Sequence, residues 1–343
     1  MIAKFRTVEY DPEKNHLIIL DQTRLPVRES YIRLKTVNDV INSIRQLKVR
    51  GAPLIGVAAA YGVVIASRND SMKKVNSAIR SIAKARPTAV NLSWALHRMQ
   101  ERAQVSDELY PALLHEALLI EKEDKDSCLT IGRIGVRLIP SAANIMVYCN
   151  AGALATTGIG TALGIIYTAK QHKKKIEVFA CETRPLLQGS RLTSWELTKN
   201  QIKTHIICDN MAAHFMPKMS MIFIGADRIA SNGDTANKIG SKGLAIIANA
   251  HGVPFYVAAP RSSFDLKIKN GSSIPIEQRG HNEITFFNKK CIVASQAMIS
   301  NPAFDVTPNH LISAFITERG IIKPPFKRNI ARLLSRTNGP DRR

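Results

Sequence analysis

Residues 221–243 read MIFIGADRIASNGDTANKIGSKG. Met221 to Ile224 form a short apolar run rich in Ile and Phe, which predicts a buried strand. The run stops at Gly225, and an acid, Asp227, follows two residues later. Asn232-Gly233-Asp234 is turn chemistry, because glycine enters positive φ freely and Asn and Asp bond their own backbone. A helix is expected over residues 235–250, with Asn237 and Lys238 in its first turn. A strand, a loop bearing an acid and then a helix make one unit of an α/β sheet. In such sheets ligands gather at the carboxyl ends of strands and anions at helix N-termini.

The same unit repeats on both sides. Strands are expected at NIMVYC from residue 144, KIEVFACE from 175, THIICD from 204 and VPFYVAAP from 253, with helices over 153–171 and 189–200. Strands alternating with helices of this length imply an α/β fold with a doubly wound, mostly parallel, Rossmann-like sheet and right-handed connections. A last helix is expected over 309–318, and a basic tail follows Pro324-Pro325.

Upstream the pattern is different. FRTVEY and HLIIL, joined by a turn at residues 11–15, predict an entry β-hairpin. Thr36 is a helix N-cap for residues through Gln46, and Arg50-Gly51-Ala52-Pro53 leads into the small-residue helix LIGVAAAYGVVIA, where Pro53 suits the first turn. Further helices are expected over 71–85, 92–103 and 113–137. The run EKEDKD in the last of these reads as a solvated face. The chain therefore divides into a smaller, mainly helical N-terminal domain, residues 1–125, and a Rossmann-like domain, residues 126–343.

Composition bounds the function. The 343 residues are 45% hydrophobic and 22% charged, as in an ordinary globular protein that can bury a large core. Lys and Arg outnumber Asp and Glu by 48 to 27, a net charge of +21, and such a field attracts anions of any kind. A general bias toward basic residues accounts for it, and no nucleic-acid partner is expected. The start lacks the apolar core of a secretory signal. Residues 141–169 carry no charge, but Asn144, Asn150 and several Gly and Thr interrupt any membrane-length run. A soluble, cytoplasmic protein with no membrane contact is expected. Five widely spaced cysteines with no C-x-x-C argue against a disulfide framework and against a zinc site.

Several residues can carry chemistry. Cys149 ends a strand before the glycine-rich NAGALATTGIGTALG. A strand-end thiol facing a helix N-terminus has a lowered pKa, whereas a core cysteine is inert, and the residue alone allows both. Gly158, Gly160 and Gly164 give G-x-G-x-x-x-G, off the dinucleotide spacing and far past the strand end. Arg50 can fork onto a phosphate and Gly51 allows close approach of a ligand, although a plain turn with a surface arginine reads equally well. Arg86 lies on a bend before Pro87. Arg184, Gln188 and Arg191 are loop polar groups able to bind phosphate or sugar hydroxyls. Asp227 either pairs with Arg228 or is pushed up by burial into the range of a general acid.

RGAPLIGVAAAYGV, RPTAVNL, CNAGALATTGIGTALG, ETRPLLQGSRLTSWEL, GADRIASNGDTANKIG and NPAFDVTP, in this order along nearly the whole chain, resemble methylthioribose-1-phosphate isomerase of methionine salvage. The fold is shared with ribose-1,5-bisphosphate isomerase and with regulatory subunits of the exchange factor for eukaryotic initiation factor two, a non-catalytic binding role. The resemblance implies Cys149 and Asp227 as the catalytic pair, and Arg50, Gly51, Ala52, Arg86, Gln188, Asn237 and Lys238 as substrate-binding residues. It implies a sugar-phosphate substrate, no metal or other cofactor, and a homodimer. The segment Gln278–Glu283 departs from the acidic stretch usual after IPIE in that family.

Overall fold

The computed structural model describes residues 4–69 and 71–334. The part of the basic tail beyond Leu334 lies outside them. A seven-stranded sheet runs in the order Gly320–Ile322, Ala314–Thr317, Phe255–Ala258, Met221–Ile224, Ala142–Val147, Lys175–Cys181, Thr204–Ile207. Neighbours are parallel throughout except at the Gly320–Ile322 edge. Met221–Ile224 is buried at every residue, as a strand covered on both faces must be. The order reverses between Ala142–Val147 and Met221–Ile224. At such a reversal successive connections diverge and leave a crevice at the carboxyl ends of the strands. The protein is thus mixed α/β with a largely parallel sheet.

The N-terminal part begins with the expected hairpin, Val8–Asp11 and His16–Leu20, to which Tyr31–Leu34 adds an antiparallel third strand. Five helices follow: Val37–Arg45, Ala52–Ser67, Met72–Ala83, Val90–Gln104 and Leu109–Gly135. Thr36 caps the first through a reciprocal pair: its hydroxyl accepts from the Asp39 N–H at 3.1 Å, and the Asp39 carboxylate accepts from the Thr36 N–H at 2.9 Å. Such a box is worth about 1 kcal/mol. Ala52–Ser67 is apolar all round and buried all round, so the other helices wrap it. Leu109–Gly135 joins the two parts. Its Leu113, Ala117 and Ile120 pack into the helical core, and its Cys128 and Ile131 pack under the central sheet.

Three expected helices are corrected. The helix of 153–171 forms only over Ala162–Gln171, because Gly160, at φ 87°, folds the loop back onto Gly152. A methyl on Gly160 would lie 2.3 Å from the Gly152 Cα, so these glycines serve chain-to-chain approach. The helix of 235–250 is split. Thr235–Lys238 is a strand, paired with Arg228–Ala230 and Phe304–Thr307, and only Ser241–Ala250 is helical. The Asn232-Gly233 turn was legible, but it closes a hairpin. The helix of 309–318 is absent: Ala314–Thr317 is a fully buried strand beside Phe255–Ala258, where AFIT fills a two-sided sheet.

The EKEDKD run is solvated on one side only. Lys122, Glu123, Lys125 and Asp126 are exposed. Asp124 turns inward and accepts both the N–H and the hydroxyl of Thr157 at 2.6 Å, and burial pushes it up to about 6. Glu121 accepts from Tyr61 and Lys125. All five cysteines are unpaired, and no helix among the described residues is long and apolar enough to cross a membrane.

Candidate active site

The strand Ala142–Val147 delivers Cys149 to the crevice with φ at 61°, a conformation that costs a non-glycine residue energy unless its surroundings hold it. Two buried threonines do so. The Cys149 N–H donates to Thr183 Oγ1 at 2.9 Å, and Thr193 Oγ1 donates to the Cys149 carbonyl at 2.6 Å. Thr183 is itself fixed through its hydroxyl to the Cys181 carbonyl and through its N–H to Asp209. The neighbouring strand and the segment after it therefore set where the sulfur stands.

Opposite lies the start of helix Ala52–Ser67. Gly51, at φ 96°, comes so close to the loop after Cys149 that a methyl there would meet the Ala155 Cα at 2.5 Å, which requires glycine. No side chain caps this helix, whose start at Gly51 and Ala52 lines the crevice, so the N–H groups of its first turn, absent only at Pro53, have no capping partner. Arg50 is buried and donates through Nη2 to the carbonyl and Oδ1 of Asn150, at 2.7 and 2.9 Å. Burial presses its guanidinium down, against the pull of Cys149, Glu196 and Asp227.

Asp227 follows Met221–Ile224, its N–H held by the Ala236 carbonyl at 3.0 Å. It does not pair with Arg228. That guanidinium contacts Asp265 at 3.6 Å and donates to the Thr88 carbonyl. Burial pushes the Asp227 carboxyl up, opposed by Lys238, Arg86 and Arg50. Lys238, from the strand Thr235–Lys238, donates to the Ala303 carbonyl at 2.9 Å and lies over the Phe304 ring. Burial lowers its pKa, against Cys149 and Asp227. Asn237 donates to Ser241 Oγ at 2.8 Å. The helix start at Ser241 is not an anion seat: the N–H groups of Gly240 and Lys242 are taken by the Asp305 carboxylate at 2.7 and 3.0 Å.

Of the two settings open to Cys149, the structure has the buried one. Burial raises its thiol pKa, and Arg50 and Lys238 only partly offset this. Cys149, Asp227 and Lys238 are each partly buried and line the same crevice. Burial outweighs the lowering expected of a helix N-terminus.

All nine residues expected at the site line one cleft: Arg50, Gly51, Ala52, Arg86, Cys149, Gln188, Asp227, Asn237 and Lys238. Residues 48–324, which contain every lining residue but Leu47, match the family described as the initiation factor 2 subunit family.

The chain belongs to the initiation factor 2 subunit family. A relative named methylthioribose-1-phosphate isomerase, from Caldicellulosiruptor saccharolyticus, is 48% identical over 336 residues, 94% of this chain and 98% of that one. The crystal structure of 5-methylthioribose 1-phosphate isomerase from Pyrococcus horikoshii OT3 is 37% identical, covers 96% of each chain and superposes with a TM-score of 0.88. The translation initiation factor eIF-2B subunit delta from A. fulgidus is 36% identical, covers 97% of this chain and 100% of its own, and has a TM-score of 0.85.

In this member of the initiation factor 2 subunit family, two charged groups at the cleft escaped the reading of the sequence. Arg279 lines the cleft and is held by Glu277 at 3.0 Å and by Glu283. Glu277 also binds Arg86, which lines the cleft, at 2.9 Å. Burial would raise Glu277, but its two arginines outweigh that and hold it below the usual carboxylate range. The unusual segment Gln278–Glu283 thus keeps an arginine at the site. Arg184 and Arg191 do other work. Arg191 donates to the carbonyls of Gln22, Thr23 and Leu25, and Arg184 lies over the Phe287 ring.

Glu196 lies within the quoted ETRPLLQGSRLTSWEL, yet nothing local marks it. It is fully buried, and accepts from the N–H groups of Ala153 and Leu154 at 3.2 and 3.1 Å and from Tyr167 at 3.0 Å. Burial raises its pKa, and those bonds together with Arg50 pull the other way. The carboxyl ties the loop after Cys149 in place and faces the charge of Arg50. It also explains Gly152, where a methyl would fall 1.6 Å from Glu196 Oε1. Gly152→Ala is expected to destabilise by about 1–3 kcal/mol or more, as overpacked cores do, and to lower activity by misplacing the loop. A thermal melt and an activity assay check it, and an unchanged Tm would show that Glu196 moves aside freely.

Proposed function

We propose that Asp227 and Cys149 are the catalytic pair of an aldose–ketose isomerase that converts 5-methylthioribose 1-phosphate into 5-methylthioribulose 1-phosphate. The activity rests on 48% identity, over nearly the full length of both chains, to a relative of that name. The observation that carries the roles is the meeting of a carboxyl, a thiol and an uncapped helix start with cationic side chains in one cleft.

The anomeric oxygen of this substrate carries phosphate, so the ring cannot open as a free hemiacetal. Arg50, Lys238, Arg86 and the N–H groups at the start of Ala52–Ser67 hold the phosphate, with Gly51 and Ala52 admitting it closely. Asp227, raised by burial, donates its proton to the ring oxygen as the C1–O bond breaks. The electron deficiency left at C1 is filled by hydride from C2, and the C2 hydroxyl, becoming a ketone, returns its proton to the Asp227 carboxylate. Atoms and charges balance with no outside reagent. Burial holds the Cys149 sulfur in its thiol form, which suits a polarisable, water-excluding wall beside C1 and C2 better than a base. Gln188 and Asn237 orient the sugar, and apolar lining such as Pro260 receives the methylthio group.

A ribose 1,5-bisphosphate would need a further cation, and the other one lining the cleft, Arg279, is already bound to two carboxylates. On strand order we read the sheet as Rossmann-like and doubly wound. The helical part, 1–125, supplies the arginines, and 126–343 supplies the catalytic pair. We read the protein as cytoplasmic and, from the resemblance, as a homodimer.

The reading is tested by incubating the pure protein with 5-methylthioribose 1-phosphate, ribose 1,5-bisphosphate and 5-deoxyribose 1-phosphate and following ketose formation. Ketose from the first is expected, and its absence would reject the activity. With deuterium at C2, the label should appear at C1; loss to solvent would reject the hydride shift alone. Lys238→Ala should raise KM about 10–100-fold, the range for losing one charged hydrogen bond, and change kcat far less. An unchanged KM would remove Lys238 from phosphate binding.

A further inference from the structure

Buried polar groups are normally paired, because stripping water from an unpaired one costs free energy with no return. Eight side-chain atoms among the described residues break this rule, and three of them belong to residues lining the cleft: Arg86 Nε, Gln188 Oε1 and Ser263 Oγ. They come from three separated stretches of chain. Arg86 and Gln188 already have roles in the proposed site. Ser263 has none, although it is fully buried. It ends the short turn Arg261–Ser263 after strand Phe255–Ala258, where its N–H is used by the Pro260 carbonyl at 3.0 Å. Its neighbour Ser262 is already paired, accepting from Asn91 at 2.9 Å. Only the hydroxyl of Ser263 is left over.

We propose that Ser263 binds the 3-hydroxyl of the sugar. This rests on the isomerase reading above. The three orphaned atoms differ in what they require: Arg86 Nε can only donate, Gln188 Oε1 can only accept, and a serine hydroxyl can do both. Phosphate oxygens satisfy the first and sugar hydroxyls the other two. The substrate has two free hydroxyls, on C2 and C3. Four adjacent strands deliver Ser263, Asp227, Cys149 and Gln188 to the cleft in that order. With Asp227 at the ring oxygen and Cys149 beside C1 and C2, Gln188 is on the side of C2. Asp227 reaches both the ring oxygen and the C2 hydroxyl, so beyond it, on the side of Ser263, lies the C3–C4 edge of the ring, where C3 carries the remaining hydroxyl and C5 carries only sulfur.

The test uses wild-type protein and Ser263→Ala, each assayed with the substrate and with its 3-deoxy analogue, which can still isomerise between C1 and C2. Wild type should lose about tenfold in kcat/KM on the 3-deoxy compound, the worth of one good neutral hydrogen bond. Ser263→Ala should lose a similar factor on the normal substrate and nothing further on the analogue. Independent, multiplying losses would overturn the assignment. Thermal stability gives a second readout. Removing a hydroxyl that has no partner should leave Tm unchanged or higher, whereas a clear fall in Tm would mean that the hydroxyl serves the fold. If wild type forms no ketose from the normal substrate, the isomerase reading itself fails. If wild type is active and Ser263→Ala equals it on both compounds, only the hydroxyl assignment fails.

Discussion

Asp227→Asn is expected to lower kcat on 5-methylthioribose 1-phosphate by about 10²–10⁴-fold, the usual weight of a positioned general acid, while the protein stays folded. The carboxyl has two tasks, giving a proton to the ring oxygen and taking one from the C2 hydroxyl, and an amide performs neither. The pH profile separates this from a merely structural loss. Burial raises the Asp227 pKa. The acid form therefore persists to higher pH than for a free aspartate, and kcat/KM should fall as pH rises through that value. The variant should lose this limb. Stability follows the same sign: a carboxyl with a folded pKa above its unfolded one costs the fold more as pH rises through the folded value. Asparagine has no such cost, so the variant should be at least as stable at neutral pH. Near-wild-type turnover would take Asp227 out of the chemistry.

Cys149→Ser should cost about 10²–10³-fold in kcat, comparable with removing one group that stabilises charge in a transition state. The substitution is close to isosteric, and the backbone at φ 61° is held by Thr183 and Thr193 whatever the side chain. The oxygen is smaller, less polarisable and better hydrated than sulfur, so the wall beside the electron-poor C1 becomes wetter and less accommodating. KM should move little, because Arg50, Arg86 and Lys238 still hold the phosphate. Full activity in the serine variant would show that the sulfur is only a space-filler.

Much of the site could be read along the chain because its residues stand where local signals are strong. Gly51, Pro53 and Arg50 announce a helix start, and an apolar strand followed by GADR announces an acid at a strand tip. The resemblance marks Lys238 and Asn237 as site residues, but they stand on a strand and not in the first turn of a helix as the local pattern predicts. Thr235–Lys238 becomes a strand only because Phe304–Thr307, far off in sequence, pairs with it. The same kind of distant partner turns 309–318 from helix to strand beside Phe255–Ala258. Burial explains the rest. The direction of the Cys149 pKa depends on how completely other segments close round it. Glu196 and Ser263 look like ordinary polar residues until the fold shows one with every bond made and the other with none.

Helix Leu109–Gly135 threads both hydrophobic cores without a break. Neither half of the molecule can melt while this rod stays intact, and fraying it loosens both at once. Heat should therefore take the arginine side and the thiol side of the cleft apart in a single cooperative step, with no half-folded species that keeps a working phosphate grip.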